Sequence, residues 1–164
     1  MKTNFRLTYT SLFCFSLLAF ASSLFLQYGI GLVPCPLCLI ARFLVLFLVF
    51  VYCAAALHNP AKRGRMGYAL TAFTTASLGI VVTLRHLWMM QLPPEKVPAC
   101  TPGLDYLLGT LPALEALLVV LNGSGECAQQ EGQFMGISLP GWTLLVFVIL
   151  AIGSLLPIIK QKKG

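Results

Sequence analysis

The chain has 164 residues, of which 58% are hydrophobic and only 10% charged. A soluble domain carries about 25% charged residues, so a water-facing globule is excluded. The net charge of +6 is spread by position along the chain and forms no basic face for nucleic acid.

Four apolar stretches follow one another. Leu7 to Leu26 carries no charge, and Lys2 and Arg6 precede it. Ala19-Phe20-Ala21 resembles a signal-peptidase site, but the run continues through Leu24, Phe25 and Leu26. That exceeds an ordinary signal core of about 7–15 residues and favours a retained span. Gly29, Gly31, Pro34 and Pro36 then break the helix and make a short, rigid loop. Arg42 and Lys62 bound 19 uncharged residues, and Arg65 and Arg85 bound another 19. The fourth run lies between Gly132 and Ile159, its apolar part starting near Trp142. Each stretch supplies roughly the 20 residues that a spanning helix needs. Only helices or closed barrels satisfy their backbone in lipid, and the alternation of barrel strands is missing.

The reading is an all-α membrane protein over residues 1–164, a single integral-membrane domain with a four-transmembrane-helix bundle. The expected helices cover about 8–26, 39–57, 67–88 and 142–159. Lys2 and Arg6, then Lys62, Arg63 and Arg65, then Lys160, Lys162 and Lys163 flank the same ends of these spans. The segment from Met89 to Leu139 holds all five acids and only Lys96 among basic residues. By the positive-inside rule both termini are cytoplasmic, and loops of about 27–38 and 89–141 face outward. Trp88 and Trp142 fall at the outer interface, where such rings gather. In the long outer loop Leu104 to Leu121 is apolar but interrupted by Asp105, Pro112 and Glu115. A fifth span would put the C-terminal lysines outside, so a helix lying in the interface fits better.

Of six cysteines, Cys14 and Cys53 belong to spans and read as small hydrophobic residues. Cys35, Cys38, Cys100 and Cys127 all fall on the outer side, in a compartment that permits disulfides. Cys100 and Cys127 alone would read as a staple of the loop. Cys35 and Cys38 form Cys-x-x-Cys, a motif shared by redox, zinc and haem sites. Haem attachment needs a His where Leu39 stands. Zinc needs two further ligands, which Cys100 and Cys127 could supply without the paired spacing of a zinc knuckle. Pro36 suits a first helical turn, so the second helix is expected to start near Cys38. The positive end of its dipole favours a thiolate there. Arg42 is four residues on, on the same face, and can lean back toward Cys38. A charge in an apolar span is costly and points to function, against the plainer role of a snorkelling anchor. A dithiol at the lip of an apolar segment suits a lipid-soluble electron acceptor. Arg85 and His86 close the third helix on the same side, and His86 could donate to a carbonyl oxygen of a membrane ligand.

These residues resemble the bacterial disulfide bond formation protein B (DsbB) family over nearly the whole chain. The resemblance rests on C-P-L-C-L-I-A-R opening the second helix, R-H closing the third, two loop cysteines, and G-E-C-A-Q-Q-E-G-Q-F-M-G-I-S-L-P-G-W, Gly125 to Trp142. It implies a thiol:quinone oxidoreductase of the bacterial inner membrane with disulfides Cys35–Cys38 and Cys100–Cys127. A DsbA-like thiol oxidase of the periplasm would attack at Cys100. Cys127 would attack Cys35 and free Cys38, which passes electrons to ubiquinone or menaquinone. Arg42 and His86 would contact the quinone, and no metal takes part. Such a relay keeps the bacterial periplasm oxidising. Rival readings are a reductase resembling the vitamin K epoxide reductases, in which the loop pair precedes the Cys-x-x-Cys, and a non-catalytic membrane protein with structural disulfides or zinc.

Overall fold

The computed structural model describes residues 5–93, 95, 109, 112, 115 and 133–161. Among them four helices are long and apolar enough to cross a membrane. They are α1 (Phe5–Tyr28), α2 (Pro36–His58), α3 (Lys62–Met89) and α4 (Leu139–Gln161). Each runs past its expected bounds. At Lys62, Arg63 and Arg65 the helix continues into the basic segment, because long cationic side chains leave the apolar layer without breaking the backbone pattern. Cys100, Cys127 and most of Leu104 to Leu121 lie outside the described residues.

The helices form a closed ring in chain order. α1 packs on α2 and α3 on α4 most extensively, while α2 meets α3 and α1 meets α4. The bundle is apolar outside as well as inside. Leu18, Phe43, Phe50, Leu78 and Ile152 are exposed on the four helices. Water would penalise that surface, and lipid does not, so the fold is a multi-pass membrane protein.

Inside, hydroxyls find acceptors within their own helices. Ser16 donates to the Phe13 carbonyl, Thr75 to Thr71, Thr83 to Gly79 and Ser154 to Ala151, all at 2.7–3.0 Å. Two tyrosines instead link helices. Tyr9 of α1 donates to the Ser154 carbonyl at 3.2 Å, and Tyr52 of α2 donates to the Leu150 carbonyl at 3.1 Å. Their rings meet edge to face with centroids 5.7 Å apart. Phe5, Leu48, Ala55 and Phe147 complete this core, which fills the half of the bundle holding the α1 N-terminus.

On α3 the buried face runs Ala69, Ala72, Ala76, Gly79, Val82, Thr83, His86, at helical spacing. Small residues let membrane helices approach closely. At Gly79 the Phe147 ring of α4 occupies the place of a side chain, since a Cβ there would lie 2.3 Å from the ring. Gly79→Ala is therefore expected to cost about 1–3 kcal/mol, as overpacked cores do, read as a lower melting temperature in detergent. An unchanged melting temperature would show that α3 and α4 separate easily.

A two-stranded antiparallel hairpin leads into α4. β1 (Gln133–Phe134) pairs with β2 (Ile137–Ser138) in the register Gln133 to Ser138 and Phe134 to Ile137. Met135 and Gly136 both have positive φ, 54° and 78°, the pattern of a type I′ turn. The hairpin sits at the end of the bundle where α1 and α3 finish and α2 begins.

Candidate functional site

Cys35 is the N-cap of α2 and Pro36 its first residue. Helix 2 thus starts three residues before the expected position, since proline is pre-organised for the first turn and loses no hydrogen bond there. Cys38 stands within the first turn, where free N–H groups and the helix dipole favour negative charge.

The two sulfurs are 3.2 Å apart, and both are free thiols. The two residues of the expected Cys35–Cys38 bridge are thus side by side. Cys35 is 4% exposed, and Cys38 is half-buried. His86, 3% exposed, stands against both. Its Nε2 is 3.8 Å from Cys35 Sγ and its Nδ1 is 3.8 Å from Cys38 Sγ. Helical spacing explains why His86 and not Arg85 reaches the pair. His86 continues the buried face of α3, one turn beyond Val82 and Thr83. Arg85 instead places its guanidinium over the Trp88 ring, 4.5 Å from the centroid.

Cys38 and His86 open onto a cavity of about 360 Å³ enclosed by all four helices. That volume is within the range of about 300–1,000 Å³ for small-molecule sites. Its walls are mostly apolar: Phe15, Leu26, Leu37, Val45, Val82, Trp142 and Val146 among them. Polar residues come from all four helices: Gln27 and Ser23 of α1, Cys38 and Arg42 of α2, Thr83 and His86 of α3, and Thr143 of α4. Trp142, read in the sequence as an interface anchor, is also part of the wall.

Arg42 lies in the wall one turn beyond Cys38. Its charge is held by α1. Nη1 donates to Gln27 Oε1, and Nη2 donates to the Ser23 carbonyl at 3.0 Å. Its Nε is buried with no acceptor among the described residues. The sequence suggested a reach toward Cys38. The structure gives the guanidinium partners on α1, because a buried cation needs several acceptors and a thiol is a weak one.

Gln27 and Ser23 were not foreseen as site residues. Gln27 was discernible as an amide in the last turn of an otherwise apolar span. Ser23 contributes a backbone carbonyl, which no side-chain motif reveals. Cys14 is exposed on α1, Cys53 is half-buried on α2, and neither lines the cavity. At the opposite end, His58 is exposed and meets the Tyr68 hydroxyl at 2.6 Å.

Comparison with known proteins bears on this arrangement directly. The family model described as "Disulfide bond formation protein DsbB" matches residues 5–156. A protein named Disulfide bond formation protein B from Chromohalobacter salexigens is 51% identical over 129 residues, 78% of this chain and 75% of its own. The protein of that name from Nitrosococcus oceani is 44% identical over 142 residues, 87% of this chain and 83% of its own. The one from Methylococcus capsulatus is 44% identical over 145 residues, 88% of this chain and 87% of its own. With a match of this length, and a vicinal dithiol at the end of four apolar helices, the chain belongs to the DsbB family of membrane oxidoreductases of disulfide bond formation.

Proposed function

We propose that this chain is a thiol:quinone oxidoreductase of the bacterial inner membrane. It reoxidises a periplasmic thioredoxin-like dithiol oxidase resembling DsbA, and its termini lie in the cytoplasm. One observation carries the reading: the second cysteine of a Cys-x-x-Cys pair lines a largely apolar cavity between membrane helices. An acceptor that lives in lipid suits that position.

The residues present fit such an acceptor. The cavity has the volume of a ligand site, and Arg42 Nε is a buried donor still without an acceptor among the described residues. A bound ubiquinone or menaquinone supplies a carrier for two electrons and two protons.

The chain's own steps are thiol–disulfide exchanges, each a thiolate attacking a disulfide sulfur. A partner thiolate attacks Cys100 and breaks the Cys100–Cys127 bond. The Cys127 thiolate attacks Cys35, breaks the Cys35–Cys38 bond and frees Cys38 as a thiolate. The partner's second thiol displaces Cys100, and the partner leaves oxidised. Cys100 then attacks Cys127, restoring the loop disulfide and releasing Cys35. Closing Cys35–Cys38 gives up two electrons and two protons. His86 touches the two sulfurs with different ring nitrogens, so one imidazole can hold a proton for either. Arg42 binds and orients an acceptor oxygen, while Gln27 and Ser23 keep its guanidinium in place.

The test is a coupled assay of the purified protein in detergent with ubiquinone and a reduced DsbA-like partner. One quinone is expected to be reduced for every two partner thiols lost. Partner oxidation without quinone reduction would remove the quinone from the reading. If neither changes, the loop cysteines are structural or serve another partner.

A further inference from the structure

Cys35, Cys38 and His86 together have a property that redox cycling does not require. One ligand atom from each lies within 4.8 Å of the other two. All three residues are soft or borderline donors, and none is a carboxylate. We propose that, when the dithiol is reduced, these residues form a site for a thiophilic d¹⁰ cation, with Zn²⁺ as the reference ion, and that the bound ion holds the pair reduced. The regulatory part rests on the reading of Cys35–Cys38 as a cycling dithiol; the binding part does not.

Geometry supports the site. Zinc binds sulfur at about 2.3 Å and imidazole nitrogen at about 2.0–2.1 Å in a tetrahedron. Those bonds place sulfurs about 3.8 Å apart and sulfur and nitrogen about 3.6 Å apart. The observed separations are 3.2 Å between the sulfurs and 3.8 Å from each sulfur to its own ring nitrogen, Nε2 for Cys35 and Nδ1 for Cys38, and a single ring nitrogen lies within 4.8 Å of both sulfurs. Shifts of up to about 1.2 Å therefore bring one nitrogen and both sulfurs to metal geometry. Three protein ligands leave one tetrahedral position, which water or a molecule in the cavity fills.

Electrostatics supports it too. Two thiols bind the ion by releasing two protons, with no change of oxidation state. Two thiolates and a divalent ion sum to zero charge, and a neutral imidazole adds none. The site is buried and lies beside an apolar cavity, where a net charge is expensive and a neutral complex is not. Soft sulfur and imidazole donors select Zn²⁺, Cd²⁺ or Cu⁺ over Mg²⁺ and Ca²⁺. With one lone pair of each sulfur committed to the ion, the S–S bond closes only as the ion leaves. Zn²⁺ is thus expected to slow quinone reduction, and a chelator to restore it.

The experiment uses the full chain carrying Cys100→Ala and Cys127→Ala, reduced by a phosphine and held in detergent. Zn²⁺ is titrated against a chromophoric chelator, and Zn X-ray absorption is recorded on the loaded protein. One equivalent is expected to bind to the reduced form and none to the oxidised form. The absorption spectrum is expected to show two sulfur ligands and one imidazole. His86→Ala is expected to weaken binding by more than about tenfold, since loss of outer-shell partners alone costs about that much. Absence of binding to the reduced form overturns the proposal. So does a spectrum without imidazole, which needs no variant to fold, and so does binding that survives Cys35→Ser with Cys38→Ser. Neither partner nor quinone enters this titration, so its failure leaves the coupled assay untouched.

Discussion

Replacing Cys38 with serine is expected to abolish quinone reduction while leaving the bundle folded. Cys38 is half-buried and, unlike buried Cys35, lines the cavity. A serine hydroxyl has nearly the same size but forms no disulfide and yields no thiolate. Without a Cys35–Cys38 disulfide the electrons taken from the partner stop at the loop cysteines and have no exit into the cavity. Quinone absorbance should stay flat and partner thiols should fall by no more than the single stoichiometric oxidation that a Cys100–Cys127 disulfide supplies, while the far-ultraviolet helix signal and the melting temperature stay near those of the parent. Cys14→Ser and Cys53→Ser are the controls, since neither residue lines the cavity, and both should turn over normally. Sustained quinone reduction by Cys38→Ser would place the reducing sulfur elsewhere.

Arg42→Met is expected to raise the KM for quinone with a smaller effect on the thiol half of the cycle. A hydrogen bond to a charged group contributes about 1.5–3 kcal/mol, which corresponds to about 10- to 150-fold in affinity. Arg42→Lys should recover only part of this. A lysine amine cannot reproduce the fork that meets Gln27 and Ser23 while leaving Nε directed elsewhere. The informative comparison is quinone KM at saturating partner against the rate of partner oxidation in a single turnover with a preoxidised protein. A fall in kcat with unchanged quinone KM would assign Arg42 to holding α1 on α2 and not to the acceptor.

The four spans were legible because the requirement is coarse: about 20 apolar residues with charges at the ends. Their ends were less so. The basic residues Lys62, Arg63 and Arg65 looked like a loop, yet a helix end in a membrane protein tolerates cations that extend outward. The hairpin was missed because its turn is Met135-Gly136, whereas the strong signal for this turn type is Asn-Gly or Asp-Gly. Within the site, the vicinal cysteines and Arg42 were visible through spacing and the cost of a charge in an apolar run. The position of His86 against both sulfurs was not. It depends on the rotation of α3, which is set by the small-residue face and by the fit of Phe147 at Gly79. The hold of Gln27 and Ser23 on Arg42 depends in turn on how α1 lies against α2, and no local pattern encodes that.

The tyrosine links have a mechanical consequence. Tyr9 and Tyr52 both grip α4, through the carbonyls of Ser154 and of Leu150 at its midpoint. The cavity uses the other half: Leu139, Pro140, Trp142, Thr143 and Val146. α4 is therefore a lever, held by the tyrosines at and just beyond its middle and bearing a wall of the binding space on its first half. Leu139 lies eleven residues from Leu150, about 16 Å along the axis at about 1.5 Å per residue. A tilt of only about 4° about the clamp moves the mouth of the cavity by about 1 Å over that arm. Such a tilt would change the bore of the site at its lip with the tyrosine links left in place, and the Phe147 ring at Gly79, inside that arm, resists it.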